Sequence, residues 1–475
     1  MLFNSFQFLI FFCVVFGVYW SILPQKRWML LLASSYYFYA SWKPAFAILL
    51  LFSSSVTYWC ARQMARAPHH KTRYLWVSIL ANLGMLFYFK YAGFFLVTTQ
   101  QLLAQADIQV WLPTFQVLLP VGISFFTFQA VGYILDVYHQ KINPETNFFR
   151  FALFLSFFPQ LVAGPIERSD TLLPQLKNEP RFNYEQAATG AKLFTFGLFK
   201  KIVLADNLAI VVDRVFGNLP EYKGLSLVLA VVFFSWQIYF DFSGYTDMAR
   251  GVAKLLGFEL SQNFNRPYRA QNLQEFWRRW HMSLSNWLKD YLYFQLGGSR
   301  GALIKTARNY LIVFTLCGLW HGAAMTFVVW GFFHGVVLVL EKSLSAVFSR
   351  IRGIIGVIYT YGIVSVGWIL FRAESLTDAA YIFRNILTGV KFFVSPSYVW
   401  ATLNQVFITN RFEMLLTLSC IASGVLIESS PNDAQIKKAY SRLPRWIRFA
   451  GYSLLVVSII SLRNAEVAEF IYFRF

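Results

Sequence analysis

The sequence predicts an all-α polytopic membrane protein of about 11–13 transmembrane or re-entrant helices. Composition is the first observation: of 475 residues, 57% are hydrophobic and 14% charged, and mean hydropathy is +0.48. The second is a series of apolar runs, at 6–23, 117–135, 224–240, 354–371 and 449–462, which approach the roughly 20 residues a bilayer-spanning helix needs. The third is the lack of repeated ten-residue alternation, the mark of a membrane β-barrel. Helices and closed barrels are the structures that satisfy their own backbone in lipid, so helices remain.

Residues 1–112 read as four or five apolar helices with short polar connections. The run at 6–23 has no Lys or Arg before it and lacks a small-residue cleavage site, so a retained transmembrane helix is expected, not a secretory signal. The cluster Tyr36-Tyr37-Phe38-Tyr39 suits an interfacial aromatic belt. Net charge is +19, which in a soluble chain would suggest nucleic acid. Here the cations sit largely in connections, Lys26-Arg27 in one and Arg62, Arg66, Lys71 and Arg73 in another. The positive-inside rule makes the second connection cytoplasmic and sets the N-terminus outside. No nucleic-acid partner is expected, though basic surface attracts an anionic substrate.

Residues 113–345 are different in kind. Gly, Pro and polar residues break the apolar pattern at Pro120-Val121-Gly122, Phe158-Pro159, Gly164 to Arg168, and Asp241-Phe242-Ser243-Gly244. Irregular backbone at membrane depth survives where protein or a water-filled cavity surrounds it, so this segment is expected to hold the site. Residues 346–475 return to simpler spans near 354–371, 413–427 and 447–462, with an amphipathic stretch at 376–387. These three segments form one integral membrane domain. Cys13, Cys60, Cys317 and Cys420 stand singly in apolar sequence and give no spacing for a disulfide or a metal site.

Inside 113–345, two strings set histidine beside tryptophan: Trp277-Arg278-Arg279-Trp280-His281 and Gly318-Leu319-Trp320-His321-Gly322. An imidazole in hydrocarbon must be hydrogen-bonded, held neutral or used. From Asn272, with Glu275 as a capping-box partner, to the Gly297-Gly298 stop, the spacing predicts one amphipathic helix that lies along the interface or lines a funnel in the protein. Trp277, Trp280, His281, Leu284 and Leu288 would share its apolar face, and Arg278 falls outside it. Gly318 and Gly322 bracket His321, either for close helix packing or to let a thin substrate approach the ring. His334 reads as a packing or supporting group, and His69 and His70 as solvated loop residues. Asp241 and Asp247, with Ser243 and Tyr245 between them, are six apart and do not suit a metal pair. They read as capping and turn chemistry or as acids orienting His or Arg. Asn265 and Arg266 supply polar groups suited to phosphate or carbonyl contacts. No nucleophile elbow, zincin motif or P-loop occurs.

Taken in order, Gly164-Pro-Ile-Glu-Arg168, Asp241-Phe-Ser-Gly-Tyr-Thr-Asp247, Asn265-Arg-Pro-Tyr268, Phe276-Trp-Arg-Arg-Trp-His281 and Leu319-Trp-His-Gly322 resemble the membrane-bound O-acyltransferase family. The likeness is strongest to its bacterial polysaccharide branch, typified by the alginate O-acetylation membrane subunit, and it runs to Ile471-Tyr-Phe-Arg-Phe475. The resemblance implies helices around a central funnel or tunnel, His321 as catalytic residue and His281 as the supporting one. Trp277, Arg278, Trp280, Trp320, Asn265, Arg266, Asp241, Ser243, Tyr245 and Asp247 would line or brace the site. It also implies acetyl-CoA as donor substrate with no permanently bound cofactor or metal, and partners comprising membrane lipid, a periplasmic acetyl-accepting transferase and polysaccharide machinery. Acetyl transfer from a thioester to a hydroxyl needs a base and oxyanion donors, and a buried neutral histidine can be that base. Alginate, cellulose and peptidoglycan stay open as acceptors, alginate being favoured. A transporter or flippase would show paired broken regions where this chain shows one, and a non-catalytic secretion scaffold would use the histidines for packing.

Overall fold

The computed structural model describes the chain except residues 109, 111–117, 163, 349, 409, 431–434, 436–439, 464–469 and 474–475. Regular elements among the described residues are all helical. Six stretches are long and apolar enough to cross a membrane: Pro44–Arg66, Pro68–Gln105, Leu225–Leu255, Met325–Ser343, Gly353–Arg372 and Arg411–Ser429. Phe6–Ser21 and Ile123–Tyr138 are shorter apolar helices. The chain is thus a multi-pass α-helical membrane protein, and it divides into two compact units.

The first unit comprises Met1–Phe194 and Met248–Gln262. Helix α1 (Phe6–Ser21) starts at Ser5, whose hydroxyl accepts the Phe8 N–H at 3.1 Å. It is followed by α2 (Arg27–Ala40), α3 (Pro44–Arg66) and α4 (Lys71–Leu86), which continues through a π turn at Phe87–Tyr91 into α5 (Ala92–Gln105). Polar side chains join α3 to α4: Ser53 donates to Asn82 at 2.6 Å, and Asn82 donates to Thr57 at 2.9 Å. In a helix pair without hydrophobic drive from water, such bonds fix the register. Gly122, at φ 78, opens α6 (Ile123–Tyr138), and a Cβ there would stand 2.6 Å from the Leu161 carbonyl oxygen. The unit continues through α7 (Phe148–Ser156), α8 (Phe158–Leu161) and α9 (Ser169–Lys177). Between the last two, Glu167 accepts the Ser261 N–H at 2.5 Å and its hydroxyl at 3.0 Å.

The second unit comprises Thr195–Asp247 and Asn263–Phe475. Helix α10 (Tyr184–Leu198) runs through a π turn, Phe199–Ala205, into α11 (Asp206–Phe216). The long α12 (Leu225–Leu255) corrects an expectation, because the segment from Asp241 to Gly244 is continuous helix and not a break. Its polar groups are satisfied by lysines of the neighbouring π turn. Gly244 allows that closeness, since a Cβ would lie 2.8 Å from the Gly197 carbonyl oxygen. Next come α13 (Leu273–Arg279), α14 (Met282–Leu288), α15 (Leu303–His321) and α16 (Met325–Ser343). Helices α15 and α16 meet backbone to backbone: a Cβ on Gly318 would be 2.1 Å from the Phe327 oxygen, and one on Gly331 2.1 Å from the Phe314 oxygen. The remaining helices are α17 (Ser345–Phe348), α18 (Gly353–Arg372), α19 (Leu376–Asn385), α20 (Pro396–Val406), α21 (Arg411–Ser429) and α22 (Arg445–Ser461), before a 3₁₀ turn at Ile471–Phe473. The amphipathic stretch at 376–387 forms α19, capped by Ser375 on the Asp378 N–H at 3.0 Å.

Candidate functional site

The site builds from a helix that stops short. Asn272 caps α13 as its sequence predicts, accepting the Glu275 N–H at 2.8 Å, while Glu275 accepts from the Gln271 N–H and pairs with Arg279. The single amphipathic helix expected from 272 onward does not form. Trp280 is extended, and His281 takes a left-handed conformation at φ 44 that caps α14. The strand-like loop 263–265 collects the backbone groups this break frees. Asn265 N–H donates to the Arg279 oxygen at 2.9 Å, Met282 N–H to the Asn263 oxygen at 3.0 Å, and Ser283 N–H to Asn263 Oδ1 at 3.1 Å. Helical periodicity could not see this, because residues outside the helix supply the competing bonds. Asn265 therefore acts here through its backbone, and Arg266 follows it at φ 46.

The break sends His281 and Trp277 to different neighbours. His281 is fully buried, with its ring edge-on to Phe242 at 4.7 Å and 5.8 Å from Trp320. Burial pushes its pKa down to about 3, so the ring is neutral near pH 7. His321 is the last residue of α15, also buried, with ring contacts to Trp320 at 5.1 Å, Trp330 at 5.1 Å and Phe371 at 5.4 Å. The two imidazole centroids are 6.3 Å apart. Trp330 continues to His334 at 4.8 Å, and His334 to Trp277 at 5.4 Å. Packing also decides the reading of the two glycines. Gly318 lies against α16 backbone, and a Cβ on Gly322 would stand 2.2 Å from the Phe327 ring. Both glycines thus serve close packing against α16.

A residue the sequence reading did not single out completes the cluster. The Tyr472 ring lies 5.5 Å from His321 and 6.4 Å from His281. Asp241 holds its segment, Oδ2 accepting the Ile471 N–H at 2.8 Å while Oδ1 pairs with Lys201 at 2.8 Å. Lys201 in turn pairs with Asp206 at 2.9 Å. Phe470 stacks on Tyr245 at 4.3 Å. Further along α12, Asp247 pairs with Lys200 at 2.5 Å, and Lys200 also donates to Ser243 at 3.1 Å. Both aspartates thus meet lysines, partners the sequence reading did not name, and both lie within the continuous helix α12. Lys200-Lys201 inside an apolar run was a legible sign of such pairing; for Tyr472 the local sequence carries no signal. The polar string 263–268 gives Tyr268, whose hydroxyl donates to the Ser235 oxygen at 2.5 Å, a bracing contact.

Beside the cluster lies a cavity of about 460 Å³. Its floor includes Val313, Phe314 and Cys317 of α15, and Trp277, with Arg278 and Lys289 at the polar side. Phe314, Cys317 and His321 recur at i, i+3 and i+7, so the cavity runs along the helix face that ends at His321. Arg278 and Lys289 are exposed. A basic mouth over an apolar floor fits a phosphorylated carrier with a thin acyl arm.

The sequence profile of the membrane-bound O-acyltransferase family matches residues 144–371. A probable alginate O-acetylase of Pseudomonas aeruginosa is 39% identical over 80% of this chain and 73% of that protein. The chain belongs to the membrane-bound O-acyltransferase family. A probable alginate O-acetylase of Pseudomonas syringae pv. tomato is 34% identical over the full length of both. A peptidoglycan O-acetyltransferase of Helicobacter pylori is 33% identical over 95% of this chain and 91% of its own. As a member of the family the protein is an acyltransferase, and the expected recognition, fold class and enzyme class stand. The profile match takes in both histidine strings, whereas the Tyr472 segment lies beyond it.

Proposed function

We propose that this acyltransferase moves an acetyl group from cytosolic acetyl-CoA to a cell-envelope or extracellular polysaccharide, with an alginate-like polymer favoured. The observation that carries the reading is the pair of buried imidazoles, 6.3 Å apart, one of them closing the helix α15 whose Phe314 and Cys317 line a cavity with a basic rim. The names of the P. aeruginosa and P. syringae relatives support the acceptor. In the proposed reaction the neutral His321 removes the proton of the acceptor hydroxyl. The oxygen attacks the thioester carbonyl, the tetrahedral intermediate collapses, and the thiolate leaves and takes up a proton. His281 orients the acceptor or offsets charge beside it. The Trp320 N–H and Tyr472 hydroxyl are the candidate donors to the oxyanion.

Arg278 and Lys289 supply the field that gathers the phosphates of acetyl-CoA. The basic loop around Arg66 and Lys71, placed in the cytoplasm by its charge, supports an inner-membrane protein with a periplasmic N-terminus. A periplasmic transferase is the proposed first acceptor, which passes the group to the polymer. Peptidoglycan is the second acceptor in view, favoured by the near full-length match to the H. pylori relative.

The test is transfer of labelled acetyl from acetyl-CoA by the purified protein, offered alginate oligomers and peptidoglycan fragments in parallel, each with and without a periplasmic partner. His321→Ala is expected to lower the rate by roughly 10²–10⁴. Turnover near wild type in a folded His321→Ala protein refutes the assignment of the base. Labelling of peptidoglycan in preference to alginate would replace the acceptor and keep the mechanism.

A further inference from the structure

A second cavity, of about 140 Å³, lies in the first unit, where α1 ends, α2 and α7 begin and α9 ends. Two guanidinium groups line it, Arg27 and Arg150, both half-buried. Arg27 stacks on Trp20 at 4.7 Å and Tyr19 at 5.2 Å, and donates through one nitrogen to the Pro180 oxygen at 2.7 Å. Arg150 approaches the Trp28 ring at 6.0 Å and has no ion-pair partner among the described residues. The Nε of each arginine is buried without a hydrogen bond. Lys177 also lines the space, held by Glu145 at 2.7 Å, and Glu179 is the acid at its edge. Two arginines brought together against aromatic walls, with their donors not spent on carboxylates, are costly unless an anion completes them. The volume is several times what one water needs, about 15 Å³, and accommodates a tetrahedral oxyanion.

The same helix pair carries an apolar groove of about 520 Å³, lined by Ile10, Val14 and Val18 of α1 and by Leu30, Ala33 and Tyr37 of α2. Groove and cavity draw on the same two helices, with Val18 next to Tyr19 on α1 and Leu30 next to Leu31 on α2. Ile10, Val14 and Val18 are exposed. An oxyanion site at the helix ends, flanked by Trp20 and Trp28, with an apolar groove on the same two helices, matches a molecule with a charged head and a hydrocarbon tail. We propose that the Arg27–Arg150 cavity binds a phosphate ester, and that its occupant is the headgroup of an anionic phospholipid whose acyl chain lies along α1 and α2. Basic pockets between membrane helices recognise such heads by charge and by the guanidinium fork.

The experiment is native mass spectrometry of the full-length protein in detergent, titrated with phosphatidylglycerol and, separately, with phosphatidylcholine. Wild type is expected to retain phosphatidylglycerol in preference. Arg150→Gln should weaken that binding about ten-fold or more, as the loss of a charge-assisted hydrogen bond implies, and leave phosphatidylcholine unchanged. If Arg150→Gln does not fold, Arg27→Gln carries the same comparison. Equal phosphatidylglycerol binding by wild type and a folded variant overturns the site. Displacement of the lipid by millimolar inorganic phosphate or adenosine 3′,5′-bisphosphate, lost in the same variant, would overturn the lipid and make the ligand a soluble phosphate.

Discussion

Replacing Lys201 by methionine should cost more stability than any replacement of its partners, and a second substitution should restore part of the loss. Within the buried trio one ammonium stands between Asp206 at 2.9 Å and Asp241 at 2.8 Å. Lys201→Met leaves two carboxylates in a site where the lysine side chain is 1% exposed, and stranding a buried charge in this way costs about 3–5 kcal/mol. Asp241→Asn leaves one cation to one carboxylate, and its amide oxygen can still accept the Ile471 N–H, so about 1–2 kcal/mol is expected. The double variant should therefore be more stable than Lys201→Met alone, with a coupling of about 1–3 kcal/mol. Melting in detergent gives the order wild type, Asp241→Asn, double variant, Lys201→Met. A double variant that melts at or below Lys201→Met would show that the trio does not act through charge balance. Activity adds a second arm. Asp241→Leu removes the acceptor for Ile471 and should slow acetyl transfer well beyond Asp241→Asn, and equal rates would break the link from Asp241 to Tyr472.

Tyr472→Phe keeps the ring between the histidines, so melting should stay within about 0.5 kcal/mol of wild type while kcat falls on the order of ten- to a hundred-fold; an unchanged kcat would make the residue a filler. Arg278→Gln and Lys289→Gln should each raise the acetyl-CoA KM about three- to ten-fold with kcat kept, and higher ionic strength should erase the difference. His281 takes up its proton near pH 6.5 when unfolded but, buried, not until about 3. At this residue the unfolded chain therefore binds more protons between those values, and the contribution of His281 to stability falls with falling pH by about 1.4 kcal/mol per unit below roughly 6. His281→Asn, which tolerates the left-handed backbone, should remove that slope in denaturation midpoints measured from pH 7 to 5, and parallel curves would refute the burial argument.

What the sequence could not supply has a physical pattern. Apolar length and the paired histidines were legible, because the cost of an ionisable group in hydrocarbon acts at the residue that carries it. The Asn272 cap was legible for the same reason, since a cap and its N–H lie three residues apart. Wherever a distant segment competes for the backbone, local reasoning failed, and it failed in both directions. At Trp280-His281 a strong helical pattern gave way because residues 263 and 265, far back in the chain, offer hydrogen bonds that a continuous helix would forgo. At Asp241-Ser243 an apparent break stayed helical because Lys200 and Lys201 neutralise what looked like turn chemistry. Both errors concern the surroundings of the two histidines, where polar groups from separate segments must satisfy one another inside an apolar chain. Tyr472 is the limiting case. It lies 151 residues beyond His321 in a segment of ordinary aromatic composition, and it reaches the site because a carboxylate on α12 accepts its neighbour's N–H. A site assembled in this way depends on bonds among unlike segments more than on any motif. Substitutions at Asn263 or Asp241 should for that reason perturb the geometry of both histidines without touching either ring.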